Sequence, residues 1–152
     1  ILENKNVRKV FHNAPFDVCM IYQSLNINVN NFHCLKVMSK IVRTYTDKHG
    51  LKDLAEEFGI EKINKFIQQS CWFGDGLSPD QEKYAIKDVI YIVHLYDKLH
   101  QMIKRRGQLR SGLSCSDLHE NAQEAMRNMI PLLTSGYGSP DNNWDLGWLF
   151  RH

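Results

Sequence analysis

Asp17 and Asp88 are the two residues whose surroundings least account for them. Asp17 stands among Phe16, Val18, Met20 and Ile21, and Asp88 among Ala85, Val89, Tyr91 and Ile92. An ionised carboxylate in apolar company is costly unless a cation or a metal pairs with it. No Lys or Arg occupies the flanking helical positions around Asp17, and Lys87 adjoins Asp88 in sequence but points to another helix face. Tyr84 precedes Asp88 by one helical turn, so a phenol and a carboxylate share one face. Two such carboxylates and a phenol suit metal-assisted chemistry with an acid–base partner. A structural reading fits the same residues. Asp17 can cap the helix that follows Pro15, and Tyr84 can be a core aromatic whose hydroxyl binds Asp88.

The elements that must carry these residues can be read from the pattern. Val7 to Phe11 reads as a strand. Pro15 suits a helix start, and Phe16 to Leu25 is apolar on most sides, which predicts a buried helix. A second short strand is expected at Phe32 to Leu35, then a helix over Lys36 to Val42. Leu51, Leu54, Ala55 and Phe58 fall at helix spacing and Gly59 ends that helix. Ser78-Pro79-Asp80-Gln81 is a capping box with proline in the first turn. The helix it opens should run to about Arg105, and its middle, Ala85 to Tyr96, is apolar on nearly every face, which predicts a central helix. Ser111 to Ser116 reads as a linker, and Ser116 or Asp117 can cap a last helix reaching about Leu133.

The chain of 152 residues is long enough for one domain with a real core, and a net charge of +2 is too small to argue for nucleic acid. Lys98, Lys104, Arg105, Arg106 and Arg110 cluster, as cations do at a helix C-terminus. Cys19, Cys34, Cys71 and Cys115 form no Cys-x-x-Cys pair, so they read as reduced thiols of a cytoplasmic protein and not as a zinc site. No apolar run approaches a membrane span.

Wider sequence context sharpens the reading. His12-Asn-Ala-Pro-Phe-Asp17 resembles the second motif of the DEDD exonuclease superfamily, and Tyr84-Ala-Ile-Lys-Asp88 resembles the third motif of its tyrosine-type branch. The histidine-type branch would place His where Lys83 stands. Arg43-Thr-Tyr-Thr-Asp-Lys-His-Gly-Leu-Lys-Asp-Leu54 resembles a segment of ribonuclease D, and Gln68-Gln-Ser-Cys-Trp72 and Leu77-Ser-Pro-Asp-Gln81 follow in the same order. The resemblance runs from about Val7 to Leu99, and Gly147-Trp148-Leu-Phe150 and His152 are similar to the end of short bacterial members.

The resemblance implies an α/β, ribonuclease H-like exonuclease fold, here incomplete: mostly helical with a short residual sheet. Residues 1–110 would be the C-terminal part of the exonuclease domain, and 111–152 a helical extension of it. It implies 3′-5′ removal of nucleoside 5′-monophosphates from single-stranded RNA ends, with two Mg²⁺ or Mn²⁺ ions in the complete site. Asp17 and Asp88 would hold metal and Tyr84 would orient the attacking water. His12, Asn13, Arg43, His49, Lys52 and Trp72 are the candidate nucleic-acid contacts, with Lys48 and Tyr45 beside them; packing or a solvated loop is the alternative for each. The sequence departs from the family in two places. Nothing before Asp17 supplies the first motif, Asp-x-Glu, so the chain is expected to be truncated, impaired, or completed by a missing N-terminal segment or partner. Cys71 stands where an Asp precedes the Trp. The competing readings are an inactive nucleic-acid-binding remnant, a DNA 3′-5′ exonuclease, and a helical interaction domain.

Overall fold

Two short strands, β1 (Lys9–Phe11) and β2 (Phe32–Cys34), pair in parallel with Val10 opposite His33. The computed structural model describes residues 1–60, 67, 70–73, 76–109 and 112–134. Parallel neighbours need a crossover connection, and helix α1 (Ala14–Leu25) supplies it. It closes on Asn26, whose φ of 53° is left-handed and whose N–H donates to the Tyr22 carbonyl. Because the strands run the same way, both carboxyl ends emerge at one edge of the sheet. His12 and Asn13 follow β1 there, and α2 (Leu35–Val42) follows β2 without a linker.

Helix α3 (Leu51–Glu57) is short and ends before Gly59, whose φ is 71°. The long helix α4 (Pro79–Arg106) opens with the expected box: the Gln81 N–H donates to Ser78 Oγ at 3.2 Å and the Ser78 N–H donates to Gln81 Oε1 at 2.9 Å. At its far end the Arg106 guanidinium donates to the carbonyls of Ile41 and Val42, satisfying groups that the end of α2 would leave unpaired. Arg106 thus ties two helices together rather than serving only as a solvated helix end; Arg110 lies outside the described residues. Helix α5 (Cys115–Thr134) completes the set and packs against α1, α2 and α4. Before it, the Leu109 N–H donates to the Leu113 carbonyl and the Cys115 N–H to the Gly107 carbonyl; Ser111, where the expected linker begins, lies outside the described residues.

The main core lies where α2 meets α4. Leu35, Met38 and Val42 pack with Leu95, Leu99 and Ile103, and Leu54 and Cys115 close the cluster. A second cluster joins α1 to the sheet and α5 through Ala14, Val18, Phe32, Val37 and Met126.

Two expectations about burial need correction. The middle of α4 is not buried all round: Ile86, Val89, Ile90 and Val93 form an exposed stripe at i, i+3, i+4 and i+7, with Val89 65% exposed. Helix α1 buries Ala14, Pro15, Val18 and Cys19 but leaves Phe16 and Met20 nearly half exposed. In both helices the described elements cover one face, whereas the sequence carries apolar residues for two.

Candidate functional site

On α4 the buried line runs through Gln81, Tyr91, Leu95, Leu99 and Ile103. Tyr84 and Asp88 fall on that same line at helical spacing, where the sequence below them supplies core residues. Asp88 Oδ1 is buried without a hydrogen-bond partner. Burial raises the Asp88 carboxyl above its usual value, and the Tyr84 hydroxyl partly offsets this. Burial, and next the Asp88 charge, push the Tyr84 phenol up to about 12.

Trp72 packs edge-on against the Tyr84 ring, with centroids 6.0 Å apart. Gln81 explains how it arrives there. Besides completing the box, its Nε2 donates to Ser70 Oγ at 3.0 Å and to the Cys71 carbonyl at 2.7 Å. The first turn of α4 therefore fastens the segment that carries Trp72 beside Tyr84. Of the Gln68 to Trp72 motif, Gln68 and Gln69 lie outside the described residues, as do Gly147, Trp148, Phe150 and His152.

Asp17 sits in the first turn of α1 and is not its cap; Asn13 holds that position and makes no side-chain cap bond. Burial raises the Asp17 carboxyl, against a smaller lowering by a backbone hydrogen bond.

His12, Asn13, Arg43 and His49 line one cleft of about 1150 Å³, together with Lys36, Lys40 and Lys48. Burial, then Lys36, lower His12 to about 4, and its Nδ1 is buried without a partner. Arg43 is only 1% exposed. Its guanidinium is committed to Glu57, to Ser39 Oγ and to the Lys48 carbonyl, and Tyr45 donates to the same Glu57. Arg43 thus organises the loop after α2. His49 Nδ1 meets Ser39 Oγ at 2.8 Å, and burial and Arg43 lower its pKa. Ser39 is fully buried, so this pair holds the loop rather than offering a nucleophile. Lys52 lies apart from the cleft and pairs with Glu56 across one turn of α3 at 3.6 Å.

Sequence reasoning missed Lys36 and Lys40. The available signal was their i, i+4 spacing, since like charges so placed disfavour a short helix by a few tenths of a kcal/mol. It also missed Glu57, whose partner Arg43 cannot be found without the fold.

The donor chemistry suits a hard divalent cation: carboxylate oxygens, one of them buried and unpaired. The donors are few, and among the described residues no group of three or more His, Cys, Asp or Glu is placed to hold an ion. No described helix is long and apolar enough to cross a membrane.

Comparison with known proteins agrees with the motif reading. A family model described as 3′-5′ exonuclease matches residues 1–104. The chain is 26% identical over 113 residues to the exosome complex exonuclease RRP6 of Saccharomyces cerevisiae, covering 72% of this chain and 15% of that protein. It is 25% identical over 108 residues to ribonuclease D of Nitrobacter hamburgensis, covering 71% of this chain and 28% of that protein. The chain therefore spans less than a third of either relative. Among solved structures, Brucella melitensis NrnC superposes with a TM-score of 0.69 at 30% identity, over 88% of this chain and 60% of that one. NrnC has also been solved with bound Mg²⁺ and bound to pGG.

Proposed function

The chain belongs to the 3′-5′ exonuclease family, and from that premise we propose that it serves in hydrolytic removal of nucleoside 5′-monophosphates from RNA 3′ ends. The observation that carries the reading is Asp88 on the core line of α4, with a buried, unpaired oxygen and Tyr84 one turn away. Asp88 would hold a divalent ion through that oxygen, and Asp17 would share in the charge of a second. When bound, Mg²⁺ or Mn²⁺ would activate the attacking water and stabilise the charge that builds on the phosphate.

Tyr84 remains protonated at neutral pH, because its phenol is pushed up to about 12. It therefore acts as a hydrogen-bond donor that orients the water, and not as the base that takes its proton. Trp72, against Tyr84, offers a face on which a terminal base can stack. The similarity to RRP6, to ribonuclease D and to NrnC bound to pGG supports RNA as the substrate.

Two carboxylates are half of the complement that the family's complete site uses, so this chain should turn over slowly unless further acidic residues join it. The test is digestion of a 5′-labelled single-stranded RNA with Mn²⁺. Products that shorten one nucleotide at a time from the 3′ end, and vanish with EDTA or with Asp88→Asn, are expected. RNA left intact across the Mn²⁺ range would defeat the reading for this chain. It would favour the second reading, an inactive RNA-binding remnant, which the lack of any three-donor cluster among the described residues also favours.

A further inference from the structure

A cavity of about 310 Å³ lies where α1, the loop into β2 and α5 meet. Asp17, Tyr84, Asp88 and Trp72 do not line it, so it is separate from the candidate metal site. Its size falls at the lower end of the range for small-molecule pockets. Helix α1 contributes Val18 and Tyr22, α5 contributes Ile130 and Pro131, and β2 contributes Phe32.

The loop side of the cavity is held in shape before any ligand arrives. Asn26 and Asn31 bracket the loop with φ of 53° and 49°, a left-handed conformation that asparagine tolerates better than most residues. The Asn30 side-chain amide donates to the Glu3 carbonyl, the Asn31 amide to the Lys5 carbonyl, and the Asn30 backbone N–H to the Leu2 carbonyl. The N-terminal residues thus clamp the loop. The Asn28 side chain and the amide oxygens of Asn30 and Asn31 make no hydrogen bond among the described residues.

Arg127 brings the one charge among the described lining residues. It forms no ion pair among the described residues. Burial comes first in lowering His33 and His119, and the Arg127 charge adds to both, as a cation without a counter-charge does. Pro131 supplies an acceptor as well, because it has no N–H to offer the Arg127 carbonyl one turn earlier. A guanidinium, unpaired amides and apolar side chains in one pocket suit a small anion that carries a ring with hydrogen-bonding edges.

We propose that this pocket binds a nucleoside 5′-monophosphate, with the phosphate on Arg127 and the base among Phe32, Ile130 and the Asn28 and Asn30 amides. The choice of a nucleotide rests on the exonuclease reading, whose product belongs to that class; the demand for an anion rests on Arg127 alone. A product held there touches Val18 and Tyr22, and so bears on the helix that carries Asp17 without entering the Asp88 site.

The test is calorimetric titration with AMP in EDTA, so that no divalent ion holds the nucleotide at Asp88. The wild-type chain should bind AMP, and Arg127→Gln should weaken binding about tenfold or more, the loss of one charge-assisted pair. Arg127→Lys should retain more affinity than Arg127→Gln, and circular dichroism checks that both variants fold. Asp88→Asn should bind AMP as the wild-type chain does. Benzoate, a ring-bearing anion with no nucleoside, should bind more weakly than AMP; equal binding would overturn the nucleotide. AMP affinity unchanged by Arg127→Gln, or no binding by the wild-type chain at millimolar AMP, would overturn the pocket. Binding that needs Mn²⁺ and disappears in Asp88→Asn would place the nucleotide at the carboxylates, overturning the pocket and upholding the exonuclease reading. Trimming of RNA, scored separately, fails only if that reading fails.

Discussion

At the scale of single residues, the buried carboxylates trade stability for chemistry. Burial raises the Asp88 carboxyl, so folding favours its protonated form. A raised carboxyl contributes stability only at low pH and withdraws it as pH rises through the folded value. At pH 7 without metal, Asp88→Asn should therefore stabilise the fold by about 1 kcal/mol, read as a higher thermal midpoint, because it removes a charge that burial disfavours. The same variant should lose Mn²⁺-dependent trimming. A thermal melt that falls instead would show Asp88 to be a structural partner of Tyr84 and no more. The histidines work in the opposite sense. Burial lowers His12, His33 and His119 to about 4, so the folded state resists protonation. Between pH 6.5 and 4 the unfolded chain binds more protons, and stability should fall steadily as pH drops through that window. His33 and His119 lie with ring centroids 5.6 Å apart, so His119→Gln should flatten the decline by removing one of two charges that repel. Melts at half-unit steps of pH would show it.

At the scale of elements, the capping box of α4 does two jobs that the sequence presents as one. Ser78 and Gln81 were legible as a helix start because the box is a local pattern, complete within four residues. The second job, in which Gln81 reaches Ser70 and the Cys71 carbonyl, joins residues 10 and 11 positions apart and has no local signature. It joins the segment ending at Trp72 to the one ending at Gln81 in this chain. Ser78→Ala should cost about 1 kcal/mol, as an ordinary N-cap does. Gln81→Ala should cost a similar amount and, in addition, free Trp72 from Tyr84, read as a shift in tryptophan emission that Ser78→Ala does not produce. Equal spectra for the two variants would mean the Trp72 segment is held by something else. The strands, α2 and α3 were legible for the same reason as the box, since each is set by periodicity within a few residues. Arg43 was legible only as a loop cation. Its burial goes with Glu57, 14 positions away on α3, a pairing that no local pattern announces.

At the scale of the whole molecule, apolar residues exceed the surfaces that the described elements offer to bury them. Periodicity reports that a residue is apolar but not which neighbour will cover it, and the centre of α4 shows the consequence. Tyr91, Leu95 and Leu99 are covered by α2 and its surroundings, while Ile86, Val89, Ile90 and Val93 stand in solvent. A continuous stripe of branched side chains is an exposed apolar patch, of the kind that marks an interaction surface. Such a face attracts hydrophobic dyes and other copies of the chain. Ile86→Ser/Val89→Ser/Val93→Ser should therefore lower anilinonaphthalene sulfonate fluorescence and suppress aggregation in light scattering. The melting transition should hardly move, because each position is already exposed and surface changes are usually worth within about 0.5 kcal/mol. Leu95→Ala is the matched control on the opposite face. It removes a fully buried side chain and should cost about 2–5 kcal/mol while leaving dye binding to the native state unchanged. If the serine variant destabilises the chain as Leu95→Ala does, the stripe is covered in solution and the extra apolar residues have found their second layer.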